Sequence, residues 1–256
     1  MILLAGGFLL TALIYAMVGF GGGSTYTALL VLAGTDYRAV PVISLLCNVL
    51  VVTIGAVAFA RAGHFDARRS WPLFALSVPA AALGGWLKIS ESLFVGLLAL
   101  SLLCAGLTML WQPFWQQDAP ARPAAIGWTE PLTAGLLGFA AGVVGIGGGI
   151  FLAPLLHVRR WGPPKAIAAT SAMFILVNSL AGLVGQASKG VAPTAAIIAA
   201  HWLLFPAVLV GGAAGATLGS RALDPKWVRI VTALLILYVA ARLALRWSAE
   251  FMGAAR

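Results

Sequence analysis

The sequence predicts an all-α, polytopic membrane helical bundle of two homologous repeats, with helices broken at glycine-rich motifs and eight to ten segments in all. Three observations lead there. Hydrophobic residues make up 61% of the chain and charged residues only 9%, with a mean hydropathy of +1.00, whereas a soluble domain carries roughly 25% charge. Long apolar runs follow one another along most of the chain. One glycine phrase occurs twice, as Val18-Gly19-Phe20-Gly21-Gly22-Gly23 and Val144-Gly145-Ile146-Gly147-Gly148-Gly149. Soluble nucleotide-binding proteins place such a phrase between a strand and a helix of a βαβ unit. Neither that setting nor a Gly-Lys-Ser/Thr ending occurs here.

The first run, Ile2 to Val18, lacks a basic leader and a small-residue cleavage site, so it reads as a membrane segment rather than a signal peptide. A short apolar stretch, Ser24 to Gly34, follows the first glycine phrase. Val40 to Ala60, Trp71 to Leu87 and Leu93 to Leu110 are then close to the length that spans a bilayer as helix. A polar linker, Gln112 to Glu130, precedes Pro131 to Val144, which leads into the second glycine phrase and the short stretch Ile150 to Val158. Ile167 to Gly185, Pro193 to Leu218 and Val228 to Leu245 complete the series. The organisation expected is a membrane repeat over 1–111, a linker over 112–130 and a second membrane repeat over 131–256.

Smaller signals fit this map. Trp71, Trp86, Trp111, Trp115, Trp128, Trp161, Trp227 and Trp247 fall near segment ends, where an amphipathic ring sits at headgroup level. Trp202 lies inside a run, which suggests helix packing. Gly211, Gly215 and Gly219 form a Gly-x-x-x-Gly face for close helix contact. Cys47 and Cys104 read as small buried hydrophobes. The net charge of +9 comes from residues scattered through short linkers, a pattern suited to anionic headgroups and not to nucleic acid.

The two halves correspond beyond the glycines. Ala39 to Ser44 lies over Ala166 to Ser171, Gly55 over Gly182 and Gly63 over Gly190. Ala80 to Gly84 followed by Leu93 lies over Gly215 to Gly219 followed by Val228. If the stretches Ser24 to Leu32 and Ile150 to Leu156 are only parts of broken or re-entrant segments, each half crosses four times and the repeats are parallel. If they cross, each half has five crossings and the repeats are inverted. The second count gathers Arg61, Arg68, Arg69, Arg122, Arg159, Arg160, Lys165, Arg221, Lys226 and Arg229 on one face, a bias that the first count lacks. Ten short or broken segments in inverted repeats is the preferred reading.

Consecutive glycines let the backbone turn sharply and approach a ligand closely. The helix that starts after them has unpaired N–H groups and a partial positive charge at its first turn. Two such breaks meeting inside the membrane make an anion site out of backbone amides, provided protein or a polar cavity covers them. Gly22, Gly23, Gly148 and Gly149 are therefore the candidate charge-holding positions, with Ser24 as an N-cap or first-turn hydroxyl. Ser44 and Asn48 share a helix face, as do Thr170, Ser171 and Asn178, and their hydroxyls and amides are able to donate hydrogen bonds to an anion. The plainer role for these side chains is hydrogen bonding between helices. Ser44 and Ser171 are repeat equivalents, but Asn48 falls opposite Ile175, so the site is only approximately two-fold. Tyr26, Thr25, Thr27 and Gln186 are weaker candidates. No Asp or Glu lies mid-segment, and His64, His157 and His201 have no metal-ligand spacing. An enzyme, a metal and a cofactor are accordingly not expected.

These residues also carry a resemblance. Gly19 to Ser24, Gly145 to Gly149 with Pro154-Leu155-Leu156, and Ala166 to Ser171 with Asn178 resemble the TauE/SafE family of sulfite and organosulfur-anion exporters. The resemblance spans nearly the whole chain in two halves. It implies a multi-pass permease of the bacterial inner membrane that exports sulfite, a sulfonate, thiosulfate or a related small anion without an ATPase subunit. Alternating access about the glycine breaks is the mechanism this suggests. A selective anion channel and a non-transporting structural or receptor-like membrane protein are the alternatives, and homo-oligomerisation is left open. One departure is Ala28 where the second half has Pro154, so the two short helices differ in rigidity.

Overall fold

The computed structural model describes residues 1–17, 19–115, 127–190, 195–219 and 225–254. They form eleven helices: α1 (Ile2–Met17), α2 (Gly23–Leu32), α3 (Val40–Arg61), α4 (Ala67–Trp86), α5 (Glu91–Trp115), α6 (Thr129–Val144), α7 (Gly149–Val158), α8 (Pro164–Ser188), α9 (Ala195–Ala200), α10 (Leu204–Gly219) and α11 (Pro225–Ala254). Three stretches are long and apolar enough to cross a membrane: Val40–Arg61, Glu91–Trp111 and Pro164–Ser188. Helices α2 and α7 have 10 residues each, which gives them a length of about 15 Å, half of a hydrocarbon core. Val18, Arg122, Arg221 and most of the expected linker, 116–126, lie outside the described residues.

Several expectations are corrected. The run Pro193 to Leu218 is not one helix: α9 and α10 are separated by a turn at His201-Trp202-Leu203. Pro206 supplies the reason, because it has no N–H to offer the Trp202 carbonyl and its ring clashes there; Phe205 N–H takes that carbonyl instead, at 3.3 Å. Trp202 is 62% exposed and so packs into no helix interface. Trp161 is the converse case. Expected at the headgroups, it is buried beneath the Arg69 guanidinium, 4.5 Å from the ring centroid. Cys47 is buried but Cys104 is exposed on α5. Glu130, expected at the end of a polar linker, is buried in the first turn of α6 and pairs with Arg159 at 3.6 Å.

The helices pack through small residues, as lipid-embedded helices do when no hydrophobic force drives them together. Gly138 and Gly142 of α6 lie against the backbone of Ser77 and Ala81 on α4. Gly211 and Gly215 of α10 lie against Leu9 and Leu13 of α1. In both pairs residue numbers rise together, so the helices run parallel. Leu45 of α3 meets Gly182 of α8, while Gly19, at the start of the first glycine phrase, lies between Phe59 of α3 and Ala168 of α8. Helices α3 and α8 are therefore antiparallel. The same holds for α5 and α11, where Gly96 meets Trp247 and Gly106 meets Leu237. Helix α4 also packs along α8, and α10 along α3.

Each short helix doubles back on the one before it. Phe8 of α1 stacks on Tyr26 of α2 with ring centroids 4.6 Å apart, and Gly7 faces Leu29. In the second half Gly148 faces Leu137 and Ala141 of α6, and the Arg159–Glu130 pair ties the end of α7 to the start of α6.

Candidate functional site

Helices α1 and α6 end in the same way. Phe20 N–H reaches back to Tyr15 O at 2.9 Å and Ile146 N–H to Ala141 O at 3.2 Å. Such a closure needs a left-handed residue after the last turn, and Gly19 and Gly145 supply it with φ of 83° and 82°. Gly22 (φ 84°) and Gly148 (φ 73°) are then the left-handed N-caps of α2 and α7, and neither helix has a side-chain cap. Gly22 O accepts from Thr25 and Tyr26, and Gly148 O from Phe151 and Leu152. The N–H groups of Gly21 to Ser24 and of Gly147 to Ile150 have no acceptor among the described residues.

The two breaks lie against each other. A Cβ at Gly23 would stand 2.7 Å from Ile146 O and would also strike Asn48 Nδ2; one at Gly147 would stand 2.7 Å from Asn48 Nδ2 and 2.9 Å from Ile175 Cγ2. Only glycine permits that approach. Helix α3 ties the breaks together across the two halves. Thr27 Oγ1 donates to Ser44 Oγ at 2.8 Å, and the Ser44 hydroxyl has Gly145 O at 2.8 Å and Gly23 O at 2.9 Å as acceptors. Asn48 Nδ2 donates to Ile146 O at 3.1 Å, while its Oδ1 is buried without a partner.

A cavity of about 10 Å³ remains at this junction, lined by Tyr15, Phe20, Gly21, Gly22, Gly23, Ser24, Asn48, Ile146, Ile150 and Ile175. That is room for about one water and too small for a sulfur oxyanion. No ionisable acid or base other than the Tyr15 phenol lines it. The first-turn amides of α2 and α7 and their helix dipoles favour negative charge there, opposed by the carbonyls of the breaks and by the unpartnered Asn48 Oδ1.

The candidate residues divide into groups. Gly22, Gly23, Ser24 and Asn48 line the cavity. Ser24 is a first-turn residue and not the N-cap; its hydroxyl lies 3.3 Å from Tyr15 OH. Ser44 sits one step behind, bonded to both breaks. Gly149 packs on Ile175 and the Ser171 carbonyl, and Gly148 faces Phe174 and α6. Ser171 Oγ is buried without a partner. Thr170 and Asn178 face α4, where Thr170 Oγ1 lies 3.3 Å from Ser70 Oγ and Asn178 Nδ2 donates to Ser77 Oγ at 3.1 Å. Of the weaker candidates, Thr25 meets Tyr15 OH at 2.9 Å and Gln186 Nε2 donates to Gly142 O at 3.4 Å.

Sequence reasoning missed Tyr15 and Ser179. Tyr15 reaches the site only because α2 folds back beside α1, which local pattern does not announce. Ser179 Oγ, buried and unpaired, lies beside Gly147, and its place next to Asn178 in sequence was the one available hint.

The family model described as Sulfite exporter TauE/SafE matches residues 3–243. The probable membrane transporter protein y4hK of Sinorhizobium fredii is 35% identical over 240 residues, covering 91% of this chain and 94% of that protein. The probable membrane transporter protein YunE of Bacillus subtilis is 31% identical over 106 residues, covering 40% of this chain and 36% of that protein. No solved structure matches the chain.

Proposed function

The chain belongs to the sulfite exporter TauE/SafE family of membrane transporters, and from that premise we propose that it exports a small anion, sulfite or an organosulfur anion, by alternating access around the two glycine breaks. The observation that carries this reading is that the breaks before two uncapped helices meet, Gly23 against Ile146, beside a cavity without a charged side chain that Gly22, Gly23, Ile146 and Ile150 line. Such a pocket binds negative charge through backbone amides and needs no buried cation. Gly22, Gly23, Gly148 and Gly149 hold the anion in this scheme. Ser24, Ser44, Asn48 and Ser171 shape the site around them, and Thr170 and Asn178 set the helix behind it.

The helix directions support ten segments in two inverted repeats, with α9 and α10 together as one segment. Under an inverting two-fold, α1 corresponds to α6, α3 to α8, α4 to α10 and α5 to α11. The parallel pairs α1·α10 and α4·α6 then interchange, and the antiparallel pairs α3·α8 and α5·α11 map onto themselves. Backbone contact at glycine locks α6 to α4 and α10 to α1, and Gly185 locks α8 to α4. The α3–α8 contact is softer, through the Leu45 side chain at 3.1 Å from a Cβ at Gly182. Rocking along that seam, with release of the Ser44–Gly145 and Asn48–Ile146 hydrogen bonds and of the Gly145 contact on Pro41, moves α2, carried on α3, away from α7, carried on α8, and opens the closed cavity. A continuous aqueous pore is not needed, which favours a carrier over a channel.

Arg61, Arg68, Arg69, Arg159, Arg160 and Lys165 lie at helix ends on one face, the cytoplasmic one by the positive-inside rule in a bacterial inner membrane. A potential negative inside then favours export of an anion by about 2.3 kcal/mol per charge per 100 mV. Flux of sulfite, thiosulfate, sulfoacetate and chloride into proteoliposomes, with and without imposed voltage and pH gradients, tests the proposal. Sulfur-oxyanion flux that responds to voltage is expected. Absence of anion flux, or flux of cations alone, overturns it.

A further inference from the structure

On the face opposite the Glu130–Arg159 pair, the ends of α4, α6 and α8 and the starts of α3 and α5 enclose a second cavity, of about 410 Å³. Arg38, Lys88 and Lys189 line it together with the apolar side chains of Ile89, Phe94 and Val143. Basic residues that merely touch headgroups have no reason to converge. These three come from separate loops and face one space.

Their surroundings compensate the charge only at Arg38, where the Tyr37 hydrogen bond first, and the Tyr37 and Asp36 charges after it, raise the pKa from the usual arginine value. Lys189 is half-buried and donates to Leu87 O at 3.4 Å; burial first, and the neighbouring Lys88 charge second, lower its pKa from the usual lysine value. Arg38 Nε donates to Tyr37 OH at 3.3 Å and its guanidinium lies 5.5 Å above that ring, so the Tyr37 hydroxyl keeps its own proton for another acceptor. Asp36 Oδ1 accepts from the Arg38 backbone N–H at 2.9 Å. Among the described residues no ion pair joins Arg38, Lys88 or Lys189 to a carboxylate. Lys189 is half-buried while Arg38 and Lys88 are exposed at the cavity rim; like charges facing one space repel one another, and an anion between them relieves that cost.

We propose that this cavity is a second anion site, separate from the glycine breaks, that takes a small organic oxyanion. Its tetrahedral head is held by Arg38, Lys88 and Lys189, and its apolar body rests on Ile89, Phe94 and Val143. The volume is that of a small-molecule pocket, and an inorganic anion leaves most of it unfilled. A soluble organosulfonate and a phospholipid headgroup present the same head, so the experiment separates the two sources.

The full chain in phosphatidylcholine nanodiscs is titrated calorimetrically with sulfate, methanesulfonate and propane-1-sulfonate. From methanesulfonate to propane-1-sulfonate, two monoanions, affinity is expected to rise by roughly threefold to fourfold for each of the two added methylenes. Lys88→Gln with Lys189→Gln weakens propane-1-sulfonate binding by about tenfold or more, without loss of the folded, monodisperse protein. The single variant Lys88→Gln, at an exposed side chain, guards against misfolding and shows a smaller loss. A parallel arm uses nanodiscs containing phosphatidylglycerol. If that lipid displaces the sulfonate from the unmodified protein but is not retained by the double variant, the headgroup is the occupant and the site stands. If neither ligand responds to the lysine substitutions, the proposal is wrong. The readout is equilibrium binding, so its failure is distinguishable from a failure of transport.

Discussion

Ser44 and Ser171 occupy matching places after the two glycine breaks, yet their hydroxyls have opposite circumstances. Ser44 accepts from Thr27 and has the Gly23 and Gly145 carbonyls as acceptors, whereas Ser171 Oγ is buried with no partner at all. A buried hydroxyl without a partner is costly unless something else uses it. Ser44→Ala is therefore expected to destabilise the protein by about 1–3 kcal/mol, because it strips a donor from the breaks. Ser171→Ala breaks no hydrogen bond and is expected to leave stability unchanged or raise it, while weakening anion affinity. Thermal unfolding in detergent, read beside the anion flux of each variant, checks both; a large stability loss at Ser171 with unchanged flux means the residue is structural. Much at this scale was legible in the sequence. Left-handed glycines are demanded by local backbone geometry, so Gly22 and Gly148 announced themselves, and the mismatch of Asn48 with Ile175 appears in space as the different neighbours of Gly23 and Gly149. Tyr15 and Glu130 were not legible. Their roles depend on Ser24 and Arg159, which fold back from the following helix.

At the scale of elements, glycines that look alike in sequence do different work. Gly55 and Gly182 align, but a Cβ at Gly55 meets nothing within 4 Å, whereas one at Gly182 stands 3.1 Å from Leu45 Cδ1. The contrast is sharpest on α6. A Cβ at Gly142 strikes the Ala81 carbonyl oxygen of α4 and stands 2.9 Å from Gly85 N, so the backbones of α4 and α6 touch. Gly142→Leu is expected to drive these helices apart and abolish a monodisperse peak in size-exclusion chromatography. Gly55→Ala should be tolerated and gain about 0.5–1 kcal/mol from helix propensity; comparable damage from the two would remove the distinction drawn here. Hydropathy located the helices well because burial in lipid requires apolar runs, but it overran the α9–α10 turn. Pro206 was visible there, outweighed by the apolar residues around it. Arg160 is another departure between the halves: it holds a left-handed φ of 50° after α7, where α2 is followed by Gly34 at φ 74°.

At the scale of the whole molecule, the helix directions put Asp36, Ser90 and Ser188 on one face and Arg68 and Lys165 on the other. Single-cysteine variants at these positions, made with Cys47 and Cys104 replaced by alanine, are expected to react with a membrane-impermeant thiol reagent in two matching groups. Labelling of Asp36→Cys and Ser90→Cys from opposite sides would falsify the arrangement. The ten-segment reading of the charge bias expects the same division, because loops record the side on which they lie. What it did not record was which helix leans on which, since such pairing is settled between residues far apart in the chain. The exchange of partners between halves bears on how the protein is made. Helix α1 is synthesised about two hundred residues ahead of α10, and the backbone of Leu9 and Leu13 must wait that long for Gly211 and Gly215. Contacts of such long sequence separation close late and slowly. The N-terminal half on its own thus leaves the membrane insertion machinery without a mate for α1 or for α4, as does the C-terminal half for α6 and α10. Stable assembly is an event of the finished polypeptide, and two separately expressed halves should become resistant to protease only when they share one membrane.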